Sequence, residues 1–266
     1  MTFLKKIGLL LSMIPLFGYD NMDSTIGSHQ INQPSLLQQY GQIPAIKASD
    51  SIIKKTAVPD KPGQIERKKS AMINVALIKQ NPELRYGCEV TSLAMVLNFA
   101  GVKTDKMDLY RSIKKDLDPI QRSPNGDIIK WGNPADGFVG DMTGKHAGYA
   151  VFDKPMIELI NQKLPGRAVN LTNQPFDKVL DHVSAGYPVV VWTTGDYRLP
   201  DRWESWIHGN QTIKTPLDLH AVVLVGYDDK YVYVNDPLSG RKQVRVGKEQ
   251  FISSWKALLS RAVSYK

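Results

Sequence analysis

The sequence predicts an α+β domain in which one helix lies on an antiparallel sheet. Three stretches lead to that class. Behind Cys88, the positions Val90, Leu93, Ala94 and Leu97 recur at the spacing of one buried helical face, and Gly101 supplies a stop. The runs His220–Tyr227 and Tyr231–Pro237 flank the turn Asp228-Asp229-Lys230 and read as a β-hairpin. Pro188–Thr194, rich in consecutive valines, reads as a central strand.

Taken in order, residues 1–19 open with Lys5 and Lys6 ahead of the apolar run Ile7–Phe17, the pattern of an export signal. The run is shorter than the roughly 20 residues that cross a bilayer, and Pro15 interrupts it. No small-x-small cleavage site follows, so an uncleaved anchor with N-terminal membrane association is the alternative. Residues 20–69 are rich in Gln, Ser, Asn, Pro and Lys without a sustained period and read as a polar spacer or arm. Its basic later part is either a solvated linker or a contact for an anionic wall. Residues 70–266 are the expected domain.

Within it, Met72–Ile78 is expected to be a buried strand that delivers Gln80 into a loop ahead of the Cys88 helix. Lys103–Leu117 has helical character, with Asp105 as its start signal and Leu109 and Ile113 on one face. Trp131–Asp141 is dense in Gly, Pro and Asp and reads as a structured loop of the kind that lines clefts. Lys154–Lys163 and Phe176–Ala185 read as helices, and Tyr197–Thr215 as a long loop bearing Trp203, Trp206 and His208. A further strand at Lys242–Val246 and a helix at Glu249–Leu259, with Phe251 and Trp255 inward, complete the chain.

Composition narrows the function classes. With 266 residues and 42% hydrophobic content a substantial core is available, and a formal charge of +8 favours anionic surfaces. No nucleic-acid motif or zinc-finger spacing is present, so no nucleic-acid partner is expected. One cysteine excludes an intrachain disulfide and any zinc site built from several thiolates. No cofactor and no metal are expected. A metal site from His208, Asp218 and His220 would divert the histidine that a thiol needs.

Cys88 is placed at the first helical turn, where unpaired N–H groups and the helix dipole favour a thiolate. A lone cysteine is also commonly a small buried apolar residue. Gly87, lacking Cβ, would let a substrate chain approach the sulfur. A thiol nucleophile needs a base and a group that orients the base. His220 begins one strand of the hairpin and Asp236 ends the other, so antiparallel pairing brings both to one end of the sheet. The Gln80 amide and the Cys88 backbone N–H are candidate donors to an oxyanion.

The order Gln, Cys, His, Asp, with His220 132 residues after Cys88, is that of papain-like enzymes, where the interval is about 130–150. The motifs Gln80–Leu97, Trp131–Gly140, Leu219–Tyr227 and Val234–Pro237 together resemble the secreted stand-alone relatives of the bacteriocin-processing peptidases, family thirty-nine of the cysteine peptidases. The resemblance covers roughly residues 70–262. It implies a papain-like fold, a bacterial source with a Gram-positive type of envelope, Cys88 as nucleophile, His220 as base, Asp236 as its orienter and Gln80 as oxyanion donor. Glu89 stands where the transporter-linked members have glycine, and no nucleotide-binding domain follows, so a double-glycine leader is not the expected substrate. The sequence thus predicts an extracytoplasmic thiol hydrolase acting on a peptide or protein substrate, cell-wall-associated substrates included. Gly87, Glu89, Trp131, Trp203 and Trp206 are its candidate cleft residues. Acyl transfer or cell-wall amide chemistry on the same triad is the alternative within catalysis. A non-catalytic wall- or peptide-binding module exposing Trp203 and Trp206 is the alternative outside it.

Overall fold

A computed structural model describes residues 67–266; the export-signal stretch and the spacer up to residue 66 lie outside the described residues. Arg67 and Lys68 already belong to the folded body. Arg67 forms an ion pair with Asp177 at 2.6 Å, and the Lys68 N–H donates to Ser184 Oγ at 3.0 Å. The strand expected over Met72–Ile78 is reduced to β1 (Ala71–Met72), which pairs with Gly226 and Tyr227. Past Ile73 the run leaves the ladder because the Asn235 side-chain amide, not a strand, takes the Val75 carbonyl, at 3.0 Å.

Helix α1 (Cys88–Phe99) begins at the cysteine, as expected, and Gly101 ends it with a φ of +88°. It is not amphipathic: every residue from Cys88 to Leu97 is buried. A helix buried all round lies inside the domain rather than on its surface. Helix α2 (Lys106–Ser112) is shorter than the expected Lys103–Leu117, and Asp105 starts it through a reciprocal capping box with Asp108. Four short strands follow: β2 (Lys115–Asp116), β3 (Gln121–Arg122), β4 (Ile128–Lys130) and β5 (Phe138–Val139). Next come α3 (Asp153–Lys163), β6 (Ala168–Asn170), α4 (Phe176–Ser184) and β7 (Val189–Thr194), the last buried along its whole length.

The expected long loop over Tyr197–Thr215 is instead a hairpin, β8 (Trp203–His208) and β9 (Gln211–Pro216), turning at Gly209-Asn210. The chain closes with β10 (Leu219–Tyr227), β11 (Tyr231–Asp236), β12 (Arg241–Gly247), α5 (Lys248–Ala257) and β13 (Ala262–Tyr265). Phe251 and Trp255 of α5 face inward as expected.

The main sheet runs β12-β11-β10-β7-β13-β6, every neighbour antiparallel, with β1 on β10. Helices α1 and α4 both contact β10, whose residues from His220 onward are all buried. Burial on both faces explains its unbroken apolar run. A smaller sheet, β3-β4-β8-β9, has its own core of Ile128, Trp131, Val139 and Trp206. The architecture is of the expected α+β class: a cysteine-headed helix on an antiparallel sheet.

Candidate active site

Three elements meet at the end of the main sheet and enclose a cleft of about 660 Å³ lined by Gln80, Cys88 and His220. The start of α1 supplies Cys88. β10 and β11 supply His220 and Asp236. Because Val223 pairs with Asn235, one step along places residue 222 opposite Asp236, on the sheet face that His220 shares. The diagonal neighbours meet, with His220 Nε2 2.8 Å from Asp236 Oδ1 and both side chains almost fully buried.

Asp236 has three further donors. Leu238 and Ser239 N–H reach Oδ1 at 2.9 and 3.3 Å, and the Tyr197 hydroxyl reaches Oδ2 at 3.2 Å. Burial pushes the carboxyl upward, but the His220 contact and these donors override it and hold Asp236 well below the usual carboxylate range. An ionised Asp236 at Nε2 favours the tautomer with its proton there, which leaves Nδ1 with the lone pair.

The third element is the loop before α1. Gln80 is anchored through its backbone, its N–H donating to Pro237 O at 3.0 Å. Lys106 of α2 donates to Lys79 O at 2.6 Å and to Gln80 O at 3.0 Å. The buried Gln80 amide donates to Arg85 O at 2.9 Å, and its Oε1 has no partner among the described residues. One of its two N–H donors therefore remains uncommitted.

Cys88 departs from the thiolate that its helix position suggests. Ala221 N–H donates to Sγ at 3.4 Å, and the thiol donates to Glu89 Oε2 at 3.3 Å. His220 is not among its hydrogen-bond partners. Burial, followed by the neighbouring Glu89 charge, pushes the thiol well above its ordinary value.

The family described as Peptidase_C39 like matches residues 72–263. The chain belongs to that family. It is 38% identical over 182 residues to YvpB, an uncharacterised protein of Bacillus subtilis (strain 168), a match covering 68% of this chain and 70% of the relative. A Bacillus anthracis crystal structure described as a C39-like peptidase superposes with a TM-score of 0.69 at 38% identity, covering 75% of this chain and 98% of that one. Membership supports a cysteine peptidase.

None of the five additional residues expected to line the cleft does so. Gly87 is buried, and a Cβ there would meet Leu84 Cβ at 2.6 Å; the glycine serves close packing, not substrate access. Glu89 is fully buried. Trp131 and Trp206 are core residues with ring centroids 5.7 Å apart, and Trp206 Nε1 donates to Gly132 O at 2.8 Å. Trp203 is half exposed on β8 and lies outside the cleft lining, with Lys214 over its ring.

Tyr149, Arg85 and Thr143, which sequence reasoning did not single out, do line the cleft. Tyr197 approaches Asp236 from a turn, and no sequence signal pointed to it. The described residues bring His208 to Asp116 and Asp136, not to Asp218 and His220. Those two carboxylates already accept from Asn133, at 2.9 and 2.8 Å.

Proposed function

We propose that the chain is an extracytoplasmic thiol hydrolase that cleaves peptide or amide bonds through an acyl-enzyme on Cys88. The observation that carries this reading is the 2.8 Å His220–Asp236 pair opening onto the same cleft as Cys88 and Gln80. The extracytoplasmic location rests on the charge and hydropathy pattern of residues 1–19.

Asp236 holds the proton on Nε2, and Nδ1 takes the proton of the thiol. The thiolate attacks the substrate carbonyl carbon and forms a C–S bond. The uncommitted N–H of Gln80 and the Cys88 backbone N–H, at the first position of α1, receive the oxyanion. The imidazolium gives its proton to the leaving amine as the C–N bond breaks. Water, deprotonated by Nδ1, then attacks the thioester, and the C–S bond breaks to release a carboxylic acid.

The test is hydrolysis of a mixed peptide library, with trapping of the acyl-enzyme by intact-protein mass spectrometry. Cleavage by the wild type that disappears in Cys88→Ala and His220→Ala is expected. A Cys88 that stays unreactive toward iodoacetamide throughout about pH 5 to 9 would sink the reading.

A further inference from the structure

Glu89 occupies the second position of α1 and is fully buried, where an unpaired carboxylate is rare. Both its oxygens are engaged. Oε1 accepts the Val151 N–H at 3.0 Å, and Oε2 accepts the Cys88 thiol at 3.3 Å. The hydrolytic scheme uses neither contact. A thiol has one proton, and while it is given to Glu89 it is withheld from His220. A carboxylate charge at that distance also opposes the thiolate on which attack depends.

Burial pushes Glu89 up to about 7. The other groups around this pair are the Tyr149 phenol, kept neutral by burial, with Asp218 and Arg261 acting on that phenol, and His220 across the cleft. None of these replaces Glu89 as the thiol's acceptor.

We propose that Glu89 is a positioning residue that locks the Cys88 thiol while ionised and releases it to His220 once protonated. The inference rests on Cys88 being the nucleophile. A proton from solvent joins Oε2, and the resulting O–H donates to the sulfur. The thiol proton then passes to His220 Nδ1, giving a thiolate stabilised by a neutral neighbour and an imidazolium. Loss of the Glu89 proton reverses the sequence. Val151 N–H bonds Oε1 in both states, so the side chain stays in place.

An ordinary cysteine alkylates faster as pH rises; this one is expected to slow as Glu89 ionises. The experiment follows iodoacetamide alkylation of Cys88 against pH in the wild type and in Glu89→Gln. The wild-type rate is expected to fall about tenfold between about pH 6 and pH 8, one pH unit of penalty on the thiolate being a factor of ten. The glutamine variant is expected to stay within about twofold over that range. Superimposed profiles, or a variant slower at every pH, overturn the lock while leaving the nucleophile intact. A cysteine inert in both proteins overturns the nucleophile and the lock together.

Should Glu89→Gln fail to fold, carbon NMR of labelled glutamate follows the Glu89 carboxyl in the wild type and in Cys88→Ala. Reciprocity requires that removing Cys88, which contacts Oε2 in both states, shift the Glu89 midpoint. Equal midpoints overturn the proposal.

Discussion

On the hairpin wall of the cleft, Asp236 is held ionised by His220, Leu238, Ser239 and Tyr197; on the helix wall, Cys88 and Glu89 sit buried and are both pushed toward their neutral forms. Little of either wall meets solvent. The difference lies in donors. Asp236 stands at the end of a strand, where the following turn presents two N–H groups to it besides His220 and Tyr197, whereas Glu89, in the first turn of α1, accepts the Val151 N–H and the Cys88 thiol. Asp236 is ionised and able to orient His220 wherever the pH lies above the ordinary carboxylate range, whereas under the proposed lock the helix half depends on a proton.

The largest effect expected from breaking this contrast is on the hairpin side. His220→Ala should lower kcat/KM by about 10³-fold or more, read on any peptide the wild type cleaves. Loss of less than about tenfold would remove His220 from the chemistry. Asp236→Asn should lower kcat by about 10²-fold, because the amide no longer enforces the Nε2–H tautomer, with little change in KM. Unchanged kcat would show that backbone placement alone orients the ring.

Stability against pH sharpens the same contrast, with opposite signs on the two walls. Asp236 has a lowered folded value, so its contribution is present above its ordinary range near 3.8 and is lost as pH falls below it. Glu89 has a raised one, so its ionisation costs stability progressively from about 4.5 up to about 7 and fully beyond. The size is about 3 kcal/mol at most. Glu89→Gln should therefore gain up to that much in urea unfolding near pH 8 and little near pH 5. A gain equal at both pH values would mean that the carboxylate is not the cause. The smallest effect is expected at Trp203→Ala, within about 0.5 kcal/mol in stability and about twofold in kcat/KM, because that ring lies outside the cleft. A large loss of turnover would extend the substrate path to β8.

The parts legible in the sequence were those written in local pattern. Cys88 heads its helix, Asp105 caps the next, and the turn at Asp228–Lys230 pairs the strands that bring His220 to Asp236. The β8–β9 hairpin stands where a loop is expected, although Gly209-Asn210 between two β-forming runs is a recognised two-residue signal. Met72–Ile78 misled for the opposite reason. Its apolar run fits a strand, and only a distant side chain, Asn235, takes it out of the ladder. The state of the thiol was also illegible. Helix position argues for a thiolate, and the burial and Glu89 charge that oppose it belong to tertiary structure.

The aromatic cluster beside the cleft has a spectroscopic consequence. Tyr149 lines the cleft and stands edge-on to Trp206 at 5.5 Å, while Trp206 leans on Trp131. Both indoles are shielded from water. Occupancy of the cleft is thus wired to a pair of buried fluorophores, and their emission should report ligand entry without any attached dye.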